Sequence, residues 1–263
     1  MSAIAALREP QGPPQWVRVV APITVGAIIL ALWILVVDVL HVAPRALPSP
    51  VAIVEQLVQH SDIILEDMGI TATNALIGLA VGTVFAIVLA ALAATFAPVD
   101  GMLAPLVAAI AVVPIVAVTP ILNTMFGASS QFGREAVAAI AAFVPVFVNV
   151  LRGLRQTRPV HRDLLRASGA TGLQTFRILT LPTALPYLMT GIRIASSIAV
   201  IAALVAEYFG GPADGIGTAI ATYAKSGHAA LAFAYVAGGI AIGLALFLVT
   251  SLLERLVSRR APV

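Results

Sequence analysis

The chain has 263 residues, 60% of them hydrophobic and only 10% charged, with a mean hydropathy of +1.03. An ordinary soluble domain carries about 25% charged residues, so this composition excludes one and points to a chain built for a bilayer. The net charge of +3 does not signal nucleic-acid binding, because the arginines stand at the edges of apolar runs, where membrane orientation accounts for them. With no cysteine, the chain offers no disulfide, thiolate nucleophile or Cys-bound metal.

A transmembrane helix needs about 20 apolar residues. Arg8 and Arg18 precede an uncharged run from Val19 to Val37. That run exceeds the roughly 7–15-residue core of a signal peptide, and no small-x-small cleavage site follows, so it reads as an uncleaved first span over 19–40. Next comes a surface helix: Ser49 is its N-cap, Pro50 its first residue, and Val51, Val54, Leu57 and Val58 follow at helical spacing. Uncharged runs predict a second span over 71–97 and a third over about 103–126. The fourth is expected at 134–151, the fifth at 186–208 and the sixth at 229–253. Pro105, Pro114, Pro120 and Pro145 can break or kink spans three and four, and irregular backbone is tolerated where it lines a cavity. Asn74, Asn123 and Asn149 interrupt apolar stretches, so each is expected to face the bundle interior, a water-filled path or a neighbouring helix. Asn123, Asn149, Pro114 and Glu207 are the candidate pathway residues, although an interfacial carboxylate such as Glu207 is also ordinary. Gly78-x-x-x-Gly82 and Gly239-x-x-x-Gly243 permit close helix packing. The segment GGPADGIG (210–217) reads as a turning or re-entrant connection, and Arg193 as a side chain snorkelling to headgroups.

Between spans four and five lies a basic insert. Arg152, Arg155, Arg158, Arg162, Arg166 and Arg177 face one acid, Asp163. With Arg8, Arg18, Arg255, Arg259 and Arg260 they place both termini and this loop in the cytoplasm, against only Arg45, Arg134 and Lys225 outside. The domain plan is therefore a cytoplasmic tail at 1–18, a membrane domain at 19–255 with its loop at 152–182, and a second tail at 256–263. Within the loop, Pro159 opens a short helix with Leu164, Leu165 and Ser168 on one side and Arg162 and Arg166 on another. Gly169 fits the C′ position. Thr171 and Gln174 form a capping box for a second helix carrying Leu173, Phe176, Ile178 and Leu179 and stopping at Leu181-Pro182. Two capped helices and a fixed elbow exceed what a topology signal needs, and such an elbow suits contact with another protein.

These residues resemble the EAA loop of permease subunits in bacterial ABC importers, whose pattern is E-A-A, three residues, G, nine residues, I-x-L-P. Gly169, Leu181 and Pro182 stand at that spacing, Leu179 takes the isoleucine position, and Asp163-Leu164-Leu165 replaces E-A-A. LPSP at 47–50, LPTALPYLMTGIRIA at 181–195 and AEYFGG…GIG at 206–217 resemble the nitrate/sulfonate/taurine branch, and the likeness extends over about 45–255. The resemblance implies an all-α integral membrane protein of the bacterial inner membrane, with six transmembrane helices in the type I ABC importer permease fold. It further implies a second permease subunit (identical or paralogous), two cytoplasmic ATPases holding ATP and Mg2+, and an extracytoplasmic substrate-binding protein. Asp163, Leu164, Leu165, Arg166, Ala167, Ser168, Gly169 and Ala170, with Leu181 and Pro182, would form the ATPase contact. Membrane lipid is the remaining expected partner, and nucleic acid is not one. The loop form Arg166–Ala170 also resembles permeases for pyrimidine vitamin precursors or riboflavin, so the substrate class stays open between these and sulfonate, taurine or nitrate.

Phosphate chemistry belongs to the partner, since G-x-x-x-x-G-K-[ST] is absent. His41, His60, His161 and His228 show no ligand spacing, and neither H-E-x-x-H nor G-x-S-x-G occurs, which argues against an intramembrane enzyme. An ion-coupled secondary transporter is the remaining alternative. Such proteins usually carry intramembrane ionisable groups or paired broken helices.

Overall fold

The computed structural model describes residues 15–127 and 130–259 and is helical throughout its regular elements. Of the expected tails at 1–18 and 256–263, residues 1–14 and 260–263 lie outside the described residues, while 15–18 belong to the first helix and 256–258 to the last. Helix α1 (Gln15–Asp38) is followed by α2 (Pro50–Gln59), α3 (Ser61–Thr95), α4 (Ala97–Val112), α5 (Ile115–Phe126) and α6 (Phe132–Arg155). After the basic loop come α7 (Pro159–Ala167), α8 (Gly172–Thr175), a π-helical stretch (Phe176–Thr180), α9 (Leu181–Tyr208), α10 (Ile216–Lys225) and α11 (Ala229–Ser258). Among the described residues, five segments are long and apolar enough to cross a membrane, and the bent pair α4–α5 supplies a sixth crossing if counted as one span.

Small residues set the bundle. α3 and α6 run parallel in close contact: a Cβ on Gly78 would collide with the Ala138 methyl and come within 2.9 Å of the Glu135 carbonyl oxygen, and one on Gly82 would strike the Ala139 carbonyl. α9 runs antiparallel to α6, with Gly153 against Ala184 and Tyr187, and Gly191 against Val146 and Asn149. α11 returns antiparallel to α9, and alanines such as Ala75, Ala138, Ala195, Ala199 and Ala203 fill the seams with no exposed surface. Backbones approach closely because lipid offers no hydrophobic force between helices, so packing area must do the work. The second small-residue pair behaves differently, since a Cβ on Gly243 would meet only the Val200 methyl, at 4.0 Å. Gly82→Leu is therefore expected to lower stability in detergent by about 1–3 kcal/mol through overpacking, whereas Gly243→Leu leaves the unfolding transition where it is. Thermal unfolding of the two variants, measured side by side, checks this.

Several boundaries depart from the sequence expectation. The helix that carries span two begins at Ser61, ten residues before the apolar run at Thr71, because Asp62, Glu66 and Asp67 lie in a helical stretch that nothing interrupts. Span three breaks at Val113-Pro114 with a bend of 101°. The cause is local: the residue before a proline avoids the α region, and Val113 is extended with φ −66° and ψ 123°. Pro105, Pro120 and Pro145 stay inside their helices. The second loop helix does not stop at Leu181-Pro182, as helix runs from Gly172 to Tyr208 over 37 residues. Pro182 lacks the N–H that α register would use. The chain absorbs this by widening to π register, in which the Leu181 N–H reaches back to the Phe176 carbonyl. The Thr183 hydroxyl then donates to the Leu179 carbonyl at 2.7 Å.

The bundle has two distinct ends. The C-termini of α3, α6 and α11 and the start of α9 meet at the arginine-rich end, where Arg155 pairs with Asp100 at 2.8 Å and donates to the Ala93 carbonyl. α2 and α10 lie at the opposite end. α2 is capped as expected, Ser49 accepting from the Ala52 N–H at 3.2 Å. α1 touches the rest mainly near its C-terminus, where Trp33 donates to the Pro48 carbonyl and meets the Phe233 ring edge-on.

Candidate functional site

The basic loop folds as a projecting elbow. α7 starts at Pro159 and buries no residue. Its end is a Schellman motif: the Gly169 N–H donates to the Arg166 carbonyl and the Ala170 N–H to the Leu165 carbonyl, each at 3.0 Å. Gly169 adopts φ +76°, a conformation in which an L side chain is strained. Thr171 and Gln174 then make both halves of the expected capping box, which opens α8 and the continuous rod into α9. A nine-residue helix is marginal alone in water, so these terminal bonds fix the geometry.

The elbow displays its chemistry to solvent. Val160 and Leu164 are 73% and 65% exposed, and Leu173 and Ile178 are similarly bare. Asp163, Arg166, Ala167, Ser168 and Gly169 are exposed, while Leu165 and Ala170 are partly covered. Asp163 and Arg166 stand 3.7 Å apart in a solvated pair worth little by itself. Leu181 is exposed and Pro182 half-covered, both lying on the rod behind the elbow. The ten expected contact residues thus divide into eight on the elbow and two on the shaft.

At the opposite end is a buried polar network that sequence reasoning missed. The Glu207 carboxylate, 1% exposed, accepts from the Thr71 hydroxyl at 2.8 Å, the Gly217 N–H at 2.9 Å and the Asn74 amide at 3.2 Å. Arg134 has no exposed surface; it pairs with Asp214 at 2.6 Å and donates to Gln131, Thr218 and the Pro212 carbonyl. Gln131 joins the two halves, accepting from Asn74 and donating to Asp214. Asp67 and Thr71 accept the Gly215 and Ile216 N–H groups, so the free end of α10 is capped by side chains from α3. The GGPADGIG segment is thus a rigid turn laid over three helices. Arg134, assigned from sequence to a solvent-facing segment, is instead a buried tie; a lone arginine beside an apolar run gave no sign of Asp214, 80 residues later.

The other candidate pathway residues separate. Asn123 on α5 is buried against Gly133 and Gly210, and neither end of its amide finds a hydrogen-bond partner. Asn149 bonds its own helix, donating to the Pro145 carbonyl at 2.7 Å. Pro114 caps α5 at the exposed bend. Arg193 is not a free snorkelling side chain: it pairs with Glu254 on α11 at 2.8 Å, and the same carboxylate accepts from Thr190 at 2.6 Å. Two helical turns of membrane leave a guanidinium needing a counter-charge, and α11 supplies it.

Comparison with known proteins adds four findings. Residues 63–262 match the family described as binding-protein-dependent transport system inner membrane component. Over 168 residues the chain is 35% identical to the formylaminopyrimidine transport permease protein ThiX of Halalkalibacterium halodurans, covering 64% of this chain and 67% of that one. Over 194 residues it is 28% identical to the putative aliphatic sulfonates transport permease protein SsuC of Bacillus subtilis, covering 73% and 69%. Among solved structures, a chain of the methionine ABC transporter MetNI in inward-facing form superposes with a TM-score of 0.58 at 18% identity, covering 77% of this chain and 96% of that chain, a likeness of fold alone.

Proposed function

Because this chain belongs to the family of binding-protein-dependent transport system inner membrane components, and so is a permease subunit of an ATP-driven importer, we propose that it couples to its ATPase through the α7 elbow. In this reading α7 seats in a groove of a cytoplasmic ATPase, with Val160, Leu164 and Leu165 as the apolar contact and Asp163 and Arg166 at the rim. Ser168, Gly169 and Ala170 hold the angle, Ala167 permits close approach, and Leu181 and Pro182 carry the displacement into α9. The carrying observation is that an amphipathic helix, closed by a Schellman motif and followed at once by a capping box, packs no residue of its own into the bundle.

The arginine-rich end is cytoplasmic, and both termini lie on that side. ATP and Mg2+ reside on two ATPase subunits, a second permease (identical or paralogous) completes the membrane pore, and an extracytoplasmic binding protein docks near α2 and the 210–217 turn. ATPase closure then drives a rigid-body switch between two permease arrangements. Asn123, Asn149 and the Pro114 bend belong to the pathway side, whereas Glu207 serves it by holding the outer turn. The transported solute is a small nitrogen heteroaromatic of the formylaminopyrimidine kind, favoured over a sulfonate by the higher identity to ThiX than to SsuC.

Uptake into vesicles holding this permease, its co-encoded ATPase and its binding protein tests the reading. Transport is expected to require ATP in the ATPase compartment and to ignore collapse of ion gradients. Uptake driven by an ion gradient without the ATPase would establish a secondary transporter instead.

A further inference from the structure

Helix α5 lies between two backbone breaks: the extended bend at Val113-Pro114 before it and Gly127, at φ +92°, after it. Its inward stripe is Ile115, Thr119, Leu122 and Asn123, at helical spacing. Ile115 and Leu122 rest on the core, and Thr119 has no exposed surface. Ile121 and Met125, on the other side, are bare. One stripe therefore holds this twelve-residue helix to the bundle. Its last member, Asn123, is 7% exposed, and among the described residues neither Oδ1 nor Nδ2 has a hydrogen-bond partner. Glycine backbone closes on both ends of the amide: a Cβ on Gly133 would stand 2.5 Å from Oδ1, and one on Gly210 3.0 Å from Nδ2. The next residue, Gly211, lies against Arg134, whose Nε is likewise buried and unpaired.

We propose that Asn123 is a release latch, whose unpaired amide keeps the docking of α5 close to balance so that the helix swings off the Gly133–Gly210 seam. Burying an amide without partners opposes the packing that docks it. Ile115 and Leu122 favour the docked state, the amide favours the released one in which it gains partners, and the breaks at Val113-Pro114 and Gly127 confine the motion to α5. A permanent tie is built the other way, as Glu207 is at the same end, with donors on both carboxylate oxygens. An apolar side chain of the same shape would dock α5 more firmly, so the amide is suited to letting go.

Release of α5 needs neither the ATPase nor a solute, so the latch stands apart from the coupling reading. The chain has no cysteine, and Thr119→Cys therefore places a single thiol beneath the docked helix. Maleimide labelling of that thiol, in liposomes holding the full chain, reports release. Met125→Cys, at a position 68% exposed, is expected to label fast in every background. Asn123→Leu keeps the shape and removes the polarity; it is expected to slow labelling at 119 about tenfold, the scale of an unpaired buried polar group. Gly133→Ala, in helical backbone, presses on Oδ1 and is expected to speed labelling by a similar factor. Gly133→Ala/Asn123→Ala removes the amide being pressed and returns labelling to the rate of the parent or below. Faster labelling in Asn123→Leu would overturn the proposal, because the amide would then be a paired anchor. So would a double variant as fast as Gly133→Ala alone, or labelling that ignores all of these changes.

Discussion

Glu207→Ala is expected to remove about 3–5 kcal/mol of stability from the end of the bundle that carries α10, the usual scale for breaking a buried charge network. Three donors lose their acceptor at once: the Thr71 hydroxyl, the Asn74 amide and the Gly217 N–H. Gly217 cannot move closer to compensate, because its backbone already packs against Leu204 and Tyr208. Glu207→Gln is a sharper probe, since it conserves volume. Both carboxylate oxygens accept, so whichever way the amide turns, its NH2 faces a donor, costing about 1–3 kcal/mol. Thermal unfolding in detergent should rank wild type above Gln above Ala. An alanine variant as stable as wild type but dead in transport would move Glu207 from the scaffold to the pathway.

The second large effect concerns coupling. A Cβ at Gly169 would meet nothing within 4 Å, so Gly169→Ala introduces no clash, only the cost of φ +76°. That strain is about 1–2 kcal/mol, which shifts the elbow between its bent and relaxed forms by a factor of roughly 5–30. Transport should fall by that factor while unfolding of the bundle is unchanged, because α7 buries no residue. Leu164→Asp attacks the same contact from its apolar edge. It is expected to abolish ATPase association without altering the permease fold, with complex formation measured by co-purification and the fold by thermal unfolding. Loss of both together would mean that the elbow is structural.

What could be read from the chain beforehand follows the range of the forces involved. Caps are local, so Ser49-Pro50, Gly169 and the Thr171–Gln174 box were legible and formed as expected. The Gly78–Gly82 pair was legible too, whereas Gly239–Gly243 carries the same spacing and leaves Gly243 loosely packed; spacing alone does not say which face meets a neighbour. Helix ends inside polar sequence were misplaced because apolar runs mark lipid thickness, not helix length, as the start of α3 at Ser61 shows. α10 went unseen because ten residues after a glycine-rich turn are too few to read as a span. Proline pointed the wrong way at Pro182, where a π stretch rescued the helix, and the right way at Pro114. The Arg134–Asp214 and Arg193–Glu254 pairs join residues 60 to 80 positions apart in sequence, and no local pattern predicts them.

Coupling through the elbow is tested most simply by affinity purification of the tagged chain from its own membranes, wild type against Gly169→Leu. An ABC ATPase is expected to co-purify with the wild type and to be lost, or retained without stimulated hydrolysis, in the variant, while both permeases elute as the same folded species. A wild-type permease that brings no ATPase even after mild cross-linking would contradict this coupling and leave the basic loop as a topology signal.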